Sequence, residues 1–381
     1  MRVNRIVSAA TLAGVAVVFL MLTADARPEG KPTAVAGFKI EAIAHLAHPR
    51  ELAATPNGDL IVGTDGPDVY VVPDAERKPG APSVFAHLDD DEASGVALGA
   101  GALYVGTTFG VWKIPYANGE RHARATPVRL MAVRTGGGGG HSTTSVAVSN
   151  DTLYAAVGSS CNACEESDPT RAAIQRMSLD GSNVRARAVH IRNAIALAVD
   201  PATQDLWAGA AGQDELAHGH PYEIFDNVGS RAGTPNYGWP TCYENRTPVR
   251  HGVDCANVTV PLAAFPAYAT PIGAAFYPAS AHGRFAFPQE WRDGVFVTLH
   301  GSWHRPPVPP LVVFVPVKDG VPAVAVDWTA PAKQWKPFID GWQNADGRRS
   351  GRPTGVTVSE DGSLFVADDD GDTIFRIRPN R

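Results

Sequence analysis

The stretch "SEDGSLFVADD", residues 359–369, decides how this chain is read. An Asp-Gly turn leads into Leu364, Phe365, Val366 and Ala367, a short apolar segment of the kind that forms a strand after a tight hairpin turn. The same unit recurs along the sequence. It appears as "PNGDLIVGT" near Leu60, "GAGALYVGT" near Leu103, "SNDTLYAAVGS" near Leu153, "PATQDLWAGA" near Leu206 and "WRDGVFVTLHGS" near Val295. Six turn-plus-strand units at irregular intervals, with no long helical period between them, rule out a tight solenoid. They suit blades of four strands with loops of variable length. The expected fold is all-β, a six-bladed β-propeller forming a single domain over residues 27–381. Such a ring must close to remove its sheet edges, and "FKIEAIA", residues 38–44, is placed to add an outer strand to the last blade.

The composition fits this reading and narrows the function. With 38 Gly and 31 Pro but 44% hydrophobic residues, the chain is rich in turns and still has material for a core. Arg2 and Arg5, an apolar run from Ile6 to Leu22 and the triplet Ala24-Asp25-Ala26 read as an export signal over residues 1–26. The alternative is an uncleaved anchor. Cleavage near Ala26 implies a periplasmic or secreted protein with no stable membrane insertion. The remaining 31 basic and 38 acidic side chains give a mild acidity that argues against a nucleic-acid partner. An even set of four cysteines in an exported chain points to disulfides. Local closure favours Cys161 with Cys164 and Cys242 with Cys255, although four cysteines allow three pairings and a four-thiolate zinc site is the rival. Covalent haem is disfavoured, because Glu165 follows Cys164 where an attachment motif needs His.

Candidate site residues precede strands of different blades. In "GGGGGHSTTSVAV", residues 136–148, five glycines that permit close backbone approach stand before His141. "HIRNAIALAVDP" sets Arg192 and Asn193, both rich in hydrogen-bond donors, before another strand, and "GRPTGV" does the same with Arg352. "HGSWHRPP", residues 300–307, offers Trp303 and Arg305, and "NYGWP", residues 236–240, is a dense aromatic turn. Either indole could stack on a planar ring or a sugar, or simply pack between loops. Three arginines and a histidine meeting at a propeller mouth would suit a flat polyanion. His218 and His220 read as solvated loop residues, and the acidic run Asp368–Asp372 reads as a solvated turn.

The ordered set "HSTTSVAV", "VGSSCNACEESDPTRAAIQR", "RNAIALAVDP", "NYGWP", "HGSWHR" and "GRPTGV" resembles the glucose/sorbosone dehydrogenase family. These are soluble sugar dehydrogenases that use pyrroloquinoline quinone (PQQ), and the sorbosone branch is the nearer in kind. The likeness runs from about residue 38 to 378. It implies a quinoprotein that oxidises a sugar or sugar-derived aldehyde and passes electrons to an external acceptor such as a cytochrome or quinone. It further implies His141 as general base, with Arg192 facing the quinone oxygen and Asn193 bracing the same edge. Arg305 and Arg352 would pair with the cofactor carboxylates, and Trp303 would wall the substrate. Calcium is part of the same expectation, with Asp214, Glu215 or Glu223 contributing oxygens. The competing expectation is a cofactor-free propeller that binds a sugar or a protein partner.

Overall fold

A computed structural model describes residues 30–134, 140–217, 219–304 and 307–380. The proposed export signal, the glycines 136–139, His218 and Arg305 lie outside the described residues. Among the described residues no helix is long and apolar enough to cross a membrane.

Six four-stranded antiparallel units form the ring. The first blade runs Pro49–Ala54, Leu60–Thr64, Asp68–Val72 and Ser83–His87. The second runs Gly95–Gly99, Ala102–Thr107, Gly110–Pro115 and Val128–Ala132. Blade three is Thr144–Ser149, Thr152–Val157, Ala173–Ser178 and Arg185–Val189. Blade four is Asn193–Val199, Leu206–Ala211, Glu223–Asn227 and Ala263–Phe265. Blade five is Pro271–Tyr277, Gly294–Leu299, Leu311–Lys318 and Lys336–Asp340. The last is Pro353–Val358, Leu364–Asp368 and Thr373–Pro379, completed by Phe38–His45 from the other end of the chain. Phe38 pairs with Pro379 and Ile40 with Ile377, so the amino-terminal segment closes the ring as its sequence suggested. Thr33–Ala34 adds a further pairing to the outer strand of blade five.

All six repeat units fall on the second strand of a blade. This strand is sandwiched within its own sheet and against neighbouring blades, which is why its residues are almost wholly apolar. Leu60, Leu103, Leu153, Leu206, Val295 and Leu364 are all fully buried. The Gly-Thr that ends two of these units has a distinct cause. A Cβ on Gly63 would run into the carbonyl of Ser94, just before the next blade's inner strand, and one on Gly106 into that of Thr144, the first residue of the following one. Blade-to-blade backbone approach therefore demands glycine there. The following threonine closes the turn: Thr64 Oγ1 donates to the Asp68 carbonyl at 2.7 Å and Thr107 Oγ1 to that of Gly110 at 3.1 Å.

The first strand of each blade lines a central channel of about 450 Å³, walled largely by Val, Ala and Leu. These strands start at one end of the ring, and the antiparallel second strands finish at that same end. Residues just before a first strand (His141, Arg192, Thr270, Arg352) and just after a second strand (Ser159, Gly212, His300, Asp369) therefore share one mouth.

Candidate active site

At that mouth lies a cavity of about 200 Å³ whose lining includes His141, Arg192, Asn193, Asp214, Glu223, Trp303 and Arg352. Residues from blades three to six, separated by as many as 211 positions, meet there. Arg305 lies outside the described residues.

His141 is held by one loop. Its backbone N–H donates to the Ser159 carbonyl at 2.9 Å, and its Nδ1 lies 3.1 Å from both the carbonyl and the Oγ of Ser159. Ser159 Oγ donates its own proton to the Cys161 carbonyl at 2.6 Å, so both Ser159 oxygens accept from Nδ1–H. The proton thus sits on Nδ1 and the Nε2 lone pair is left for chemistry. Burial, then the charge of Arg192 and that of Arg171, push the imidazole down to about 4, while the Ser159 carbonyl opposes them. Arg171 also donates to the carbonyls of His141 at 2.7 Å and Ser159 at 3.2 Å, which ties the two segments together. A Cβ on Gly158 would lie 2.6 Å from His141 Cβ and collide with Asn193 Oδ1, so no other residue fits between them.

Backbone carbonyls hold both guanidinium groups, and Arg192 is also bound by the Asn162 side chain and ion-paired with Asp214. Arg192 donates from Nε to the Asn162 carbonyl at 3.1 Å, from Nη1 to that of Gly212 at 2.6 Å, and from Nη2 to Asn162 Oδ1 at 2.9 Å and Asp214 Oδ2 at 3.2 Å. Arg352 donates from Nε to the His300 carbonyl at 3.0 Å and from Nη2 to that of Gly301 at 2.9 Å. Carbonyls orient a guanidinium without neutralising it, so most of the positive charge of Arg352 remains available at the mouth. Asn193 Oδ1 is buried and has no hydrogen-bond partner among the described residues. A buried amide oxygen left unpaired at the wall of a cavity is a group that a bound molecule would satisfy.

The opposite wall is aromatic. Tyr268 and His304 stack with centroids 3.6 Å apart, and Trp303 stacks on His304 at 4.1 Å. Trp303 is 71% exposed, so one indole face stays open. Trp239 of "NYGWP", by contrast, is buried outside the cavity and donates Nε1 to the Asn162 carbonyl at 3.0 Å. It braces a loop and stacks on nothing in the mouth.

The carboxylates proposed for calcium do not gather around a point. Asp214 is engaged by Arg192 and lies 3.5 Å from His304 Nε2, Glu215 is exposed and does not line the cavity, and Glu223 is buried. Glu223 Oε2 accepts from the Gly212 N–H at 2.6 Å, and burial drives its carboxyl up to about 8 despite that bond and the charge of Arg192. Among the described residues the one group of three ligand types close enough for a metal is Cys161, Cys164 and Glu166. Its sulfurs are joined in a disulfide, as are Cys242 and Cys255, so the local pairing is the one formed and no four-thiolate zinc site exists. Asp214 and Glu223 line the cavity and Glu215 does not, so the three residues named for calcium do not form one set of carboxylate ligands among the described residues.

Several further residues that carry no local signal in the sequence also build the mouth. Arg50 reaches Asp369 Oδ2 at 2.7 Å, and His300 Nε2 lies 2.9 Å from Asp369 Oδ1. The acidic run is therefore no solvated turn: Asp369 bridges a guanidinium and an imidazole, and Asp368 accepts from Trp342 Nε1 at 2.8 Å and from the Arg352 N–H at 2.7 Å. Glu51, at the head of the central channel, lies 3.4 Å from Ser145 Oγ, and burial raises its carboxyl to about 8.

A six-bladed propeller with an imidazole and two guanidinium groups at one mouth defines a class of ligand-binding ring, and comparison with known proteins specifies the family. The chain belongs to the TrAA12-like family, which matches residues 32–380. In fold it is similar to the holo form of the pyranose dehydrogenase PQQ domain from Coprinopsis cinerea (TM-score 0.77, 19% identity, 92% of this chain and 98% of that one). A calcium structure of the Trichoderma reesei family AA12 carbohydrate-active enzyme shares it at TM-score 0.73 and 20% identity, over 92% of this chain and 97% of that one. The PQQ-bound aldose sugar dehydrogenase of Streptomyces coelicolor follows at TM-score 0.62 and 18% identity, over 93% of this chain and all (100%) of the other. An uncharacterized protein of Borreliella burgdorferi is 25% identical over 199 residues, 49% of this chain and 47% of that protein, so the chain spans about half the length of this relative.

Proposed function

We propose that the protein is an exported, PQQ-dependent oxidoreductase that removes hydride from a sugar or sugar-derived aldehyde and passes the electrons to an external acceptor. One observation carries this reading: a neutral imidazole with a free Nε2, the carbonyl-oriented guanidinium of Arg352, the guanidinium of Arg192 paired with Asp214, and an unpaired buried amide oxygen share a single cavity. The guanidinium groups suit the carboxylates of a flat polycarboxylate, and the amide oxygen would accept from an N–H or O–H of the same molecule. PQQ, when bound, supplies the hydride acceptor, so the redox chemistry is the cofactor's and the protein provides orientation and field. Arg352 would hold a carboxylate of the group and Asn193 its polar edge, with Arg305 assigned the same part by resemblance. Arg192 keeps a fixed positive charge at the cavity wall, where negative charge developing on a carbonyl oxygen is stabilised. His141 would receive at Nε2 the hydroxyl proton of a sugar carbinol or of an aldehyde hydrate while Ser159 holds Nδ1–H, and the hydride would leave the carbon that bears this hydroxyl. The open face of Trp303 offers a platform for a sugar ring.

Residues 1–26 act as the export signal in this reading, and the product is periplasmic or secreted. Calcium has no assigned part. The failure of Asp214, Glu215 and Glu223 to converge favours, as a second reading, a propeller that has kept the scaffold to bind a sugar or a partner without turnover. The mature protein loaded with PQQ should reduce a redox dye with at least one member of an aldose, polyol and aldehyde panel, and His141→Ala should abolish this while still binding PQQ. Binding of PQQ with no dye reduction by any panel member would leave the second reading standing.

A further inference from the structure

We infer that Asn162, carried in the loop closed by the Cys161–Cys164 disulfide, is the positioning residue that fixes the guanidinium of Arg192 at the mouth. The inference rests on the reading of Arg192 and His141 as site residues, and it assigns a task to a motif that the proposed chemistry leaves unused.

Asn162 is exposed, and an exposed asparagine ordinarily satisfies itself with water. Here it makes five protein hydrogen bonds. Oδ1 accepts from Arg192 Nη2 at 2.9 Å and from the Asp214 N–H at 2.8 Å, which uses both of its lone pairs. Nδ2 donates to the Asp214 carbonyl at 3.2 Å. The Asn162 carbonyl accepts from Arg192 Nε at 3.1 Å and from Trp239 Nε1 at 3.0 Å. The Nε and Nη2 protons lie on one edge of the guanidinium, and a residue that receives both fixes the plane of the group as well as its position. With Nη1 held by Gly212, rotation about the last side-chain bonds is blocked at three points.

The disulfide spans only three positions, so it limits the conformations open to Asn162 between the two sulfurs. The same loop reaches the base. The Cys161 carbonyl accepts from Ser159 Oγ, whose oxygen lies against His141 Nδ1. Opening the loop would therefore loosen Arg192 directly and His141 through Ser159. Cys-x-x-Cys here is a clamp on two site residues from two blades.

The test uses the mature chain in three variants. Asn162→Ala removes the side-chain grip but leaves the carbonyl. Asn162→Asp keeps the oxygens that accept from Arg192. Cys161→Ser with Cys164→Ser opens the loop and leaves Asn162 in place. The direct readout needs no cofactor: nitrogen-15 NMR of the Arg192 guanidinium, with the titration of His141 in the same samples. Asn162→Ala and the opened loop should speed guanidinium rotation at least about tenfold, and His141 should titrate nearer its ordinary value as the charge of Arg192 recedes. Asn162→Asp should keep rotation slow. With PQQ and an active sugar, Asn162→Ala should lower kcat about 10- to 100-fold with KM nearly unchanged, and Asn162→Asp should recover part of that loss. A folded Asn162→Ala with wild-type rotation and wild-type His141 titration overturns the inference, and should that variant not fold, the same result in the opened loop does so. If the NMR changes appear but no form of the protein oxidises any sugar, the positioning role stands and the proposed function falls.

Discussion

Replacing Glu223 by Gln should stabilise the protein at alkaline pH and do little in acid. Glu223 is only 2% exposed, and burial lifts its carboxyl from an ordinary 4.5 to about 8. The sign follows from linkage. In the unfolded chain the group ionises near 4.5, whereas in the folded chain it stays protonated until about 8, so the folded state binds the extra proton between those values and stability falls as pH rises. At about 1.4 kcal/mol per pH unit, the gap between 4.5 and about 8 amounts to roughly 4 kcal/mol by pH 8. Water entry and relaxation reduce it, so on the order of 2–4 kcal/mol is expected. Gln keeps the oxygen that accepts from the Gly212 N–H and cannot ionise. Urea unfolding at pH 5 and pH 8 gives the comparison, with the variant exceeding wild type at pH 8 by that amount and the difference shrinking toward zero at pH 5. An equal difference at the two pH values would refute the reasoning, because it would show that Glu223 is not held protonated by its surroundings.

Turnover should stay level from neutral pH down to about pH 5 and fall as pH drops through about 4, where His141 takes up a proton; an acid limb centred on the ordinary histidine value, read from kcat/KM profiles, would contradict its placement. Arg352→Ala should weaken PQQ binding about 10- to 100-fold by titration calorimetry, the loss expected of one charge-assisted contact of 1.5–3 kcal/mol. Asp369→Asn should cost about 3–5 kcal/mol in urea unfolding at pH 7, since Arg50 and His300 would lose their shared anion in a site where each side chain is at most 15% exposed. Burial opposes ionisation of Asp369, but His300, Arg50 and Arg352 prevail and bring it down to about 2, so its stabilising contribution is complete above about 3.8 and disappears as pH falls through about 2. Gly106→Ala should lower the thermal midpoint by several degrees, since its Cβ has no room against the Thr144 carbonyl of the neighbouring blade.

The fold was legible because every blade repeats the same physical problem. A strand buried on both faces must be apolar, and it needs a tight turn before it and, where blades touch, a glycine within it. Leu60, Leu103 and Leu364 carry that pattern openly. Segment 38–44 was legible as the closing strand because it is a strand with no blade of its own. His141, Arg192 and Arg352 could be found because a polar group immediately before an inner strand has only one place to go, the mouth.

The remainder depended on geometry that linear spacing does not encode. Asn162 and Ser159 act across blades, and their one sequence signal was the Cys-x-x-Cys bracket. Asp369 looked like part of a solvated acidic turn, because a run of aspartates gives no hint that an arginine more than three hundred positions earlier will pair with it. The carboxylates Asp214, Glu215 and Glu223 are close in sequence, but only Asp214 and Glu223 reach the cavity, Asp214 paired with Arg192 and Glu223 buried, while Glu215 stays exposed outside it.

The proposed function requires His141, Arg192, Asn193 and Arg352 to form one cradle for a flat polycarboxylate. Titration of the purified protein with PQQ, followed by calorimetry, is the decisive experiment. One site per chain is expected, retained in His141→Ala and strongly weakened in Arg192→Ala and in Arg352→Ala. Absence of binding to the wild-type protein, or binding indifferent to both arginines, would contradict it.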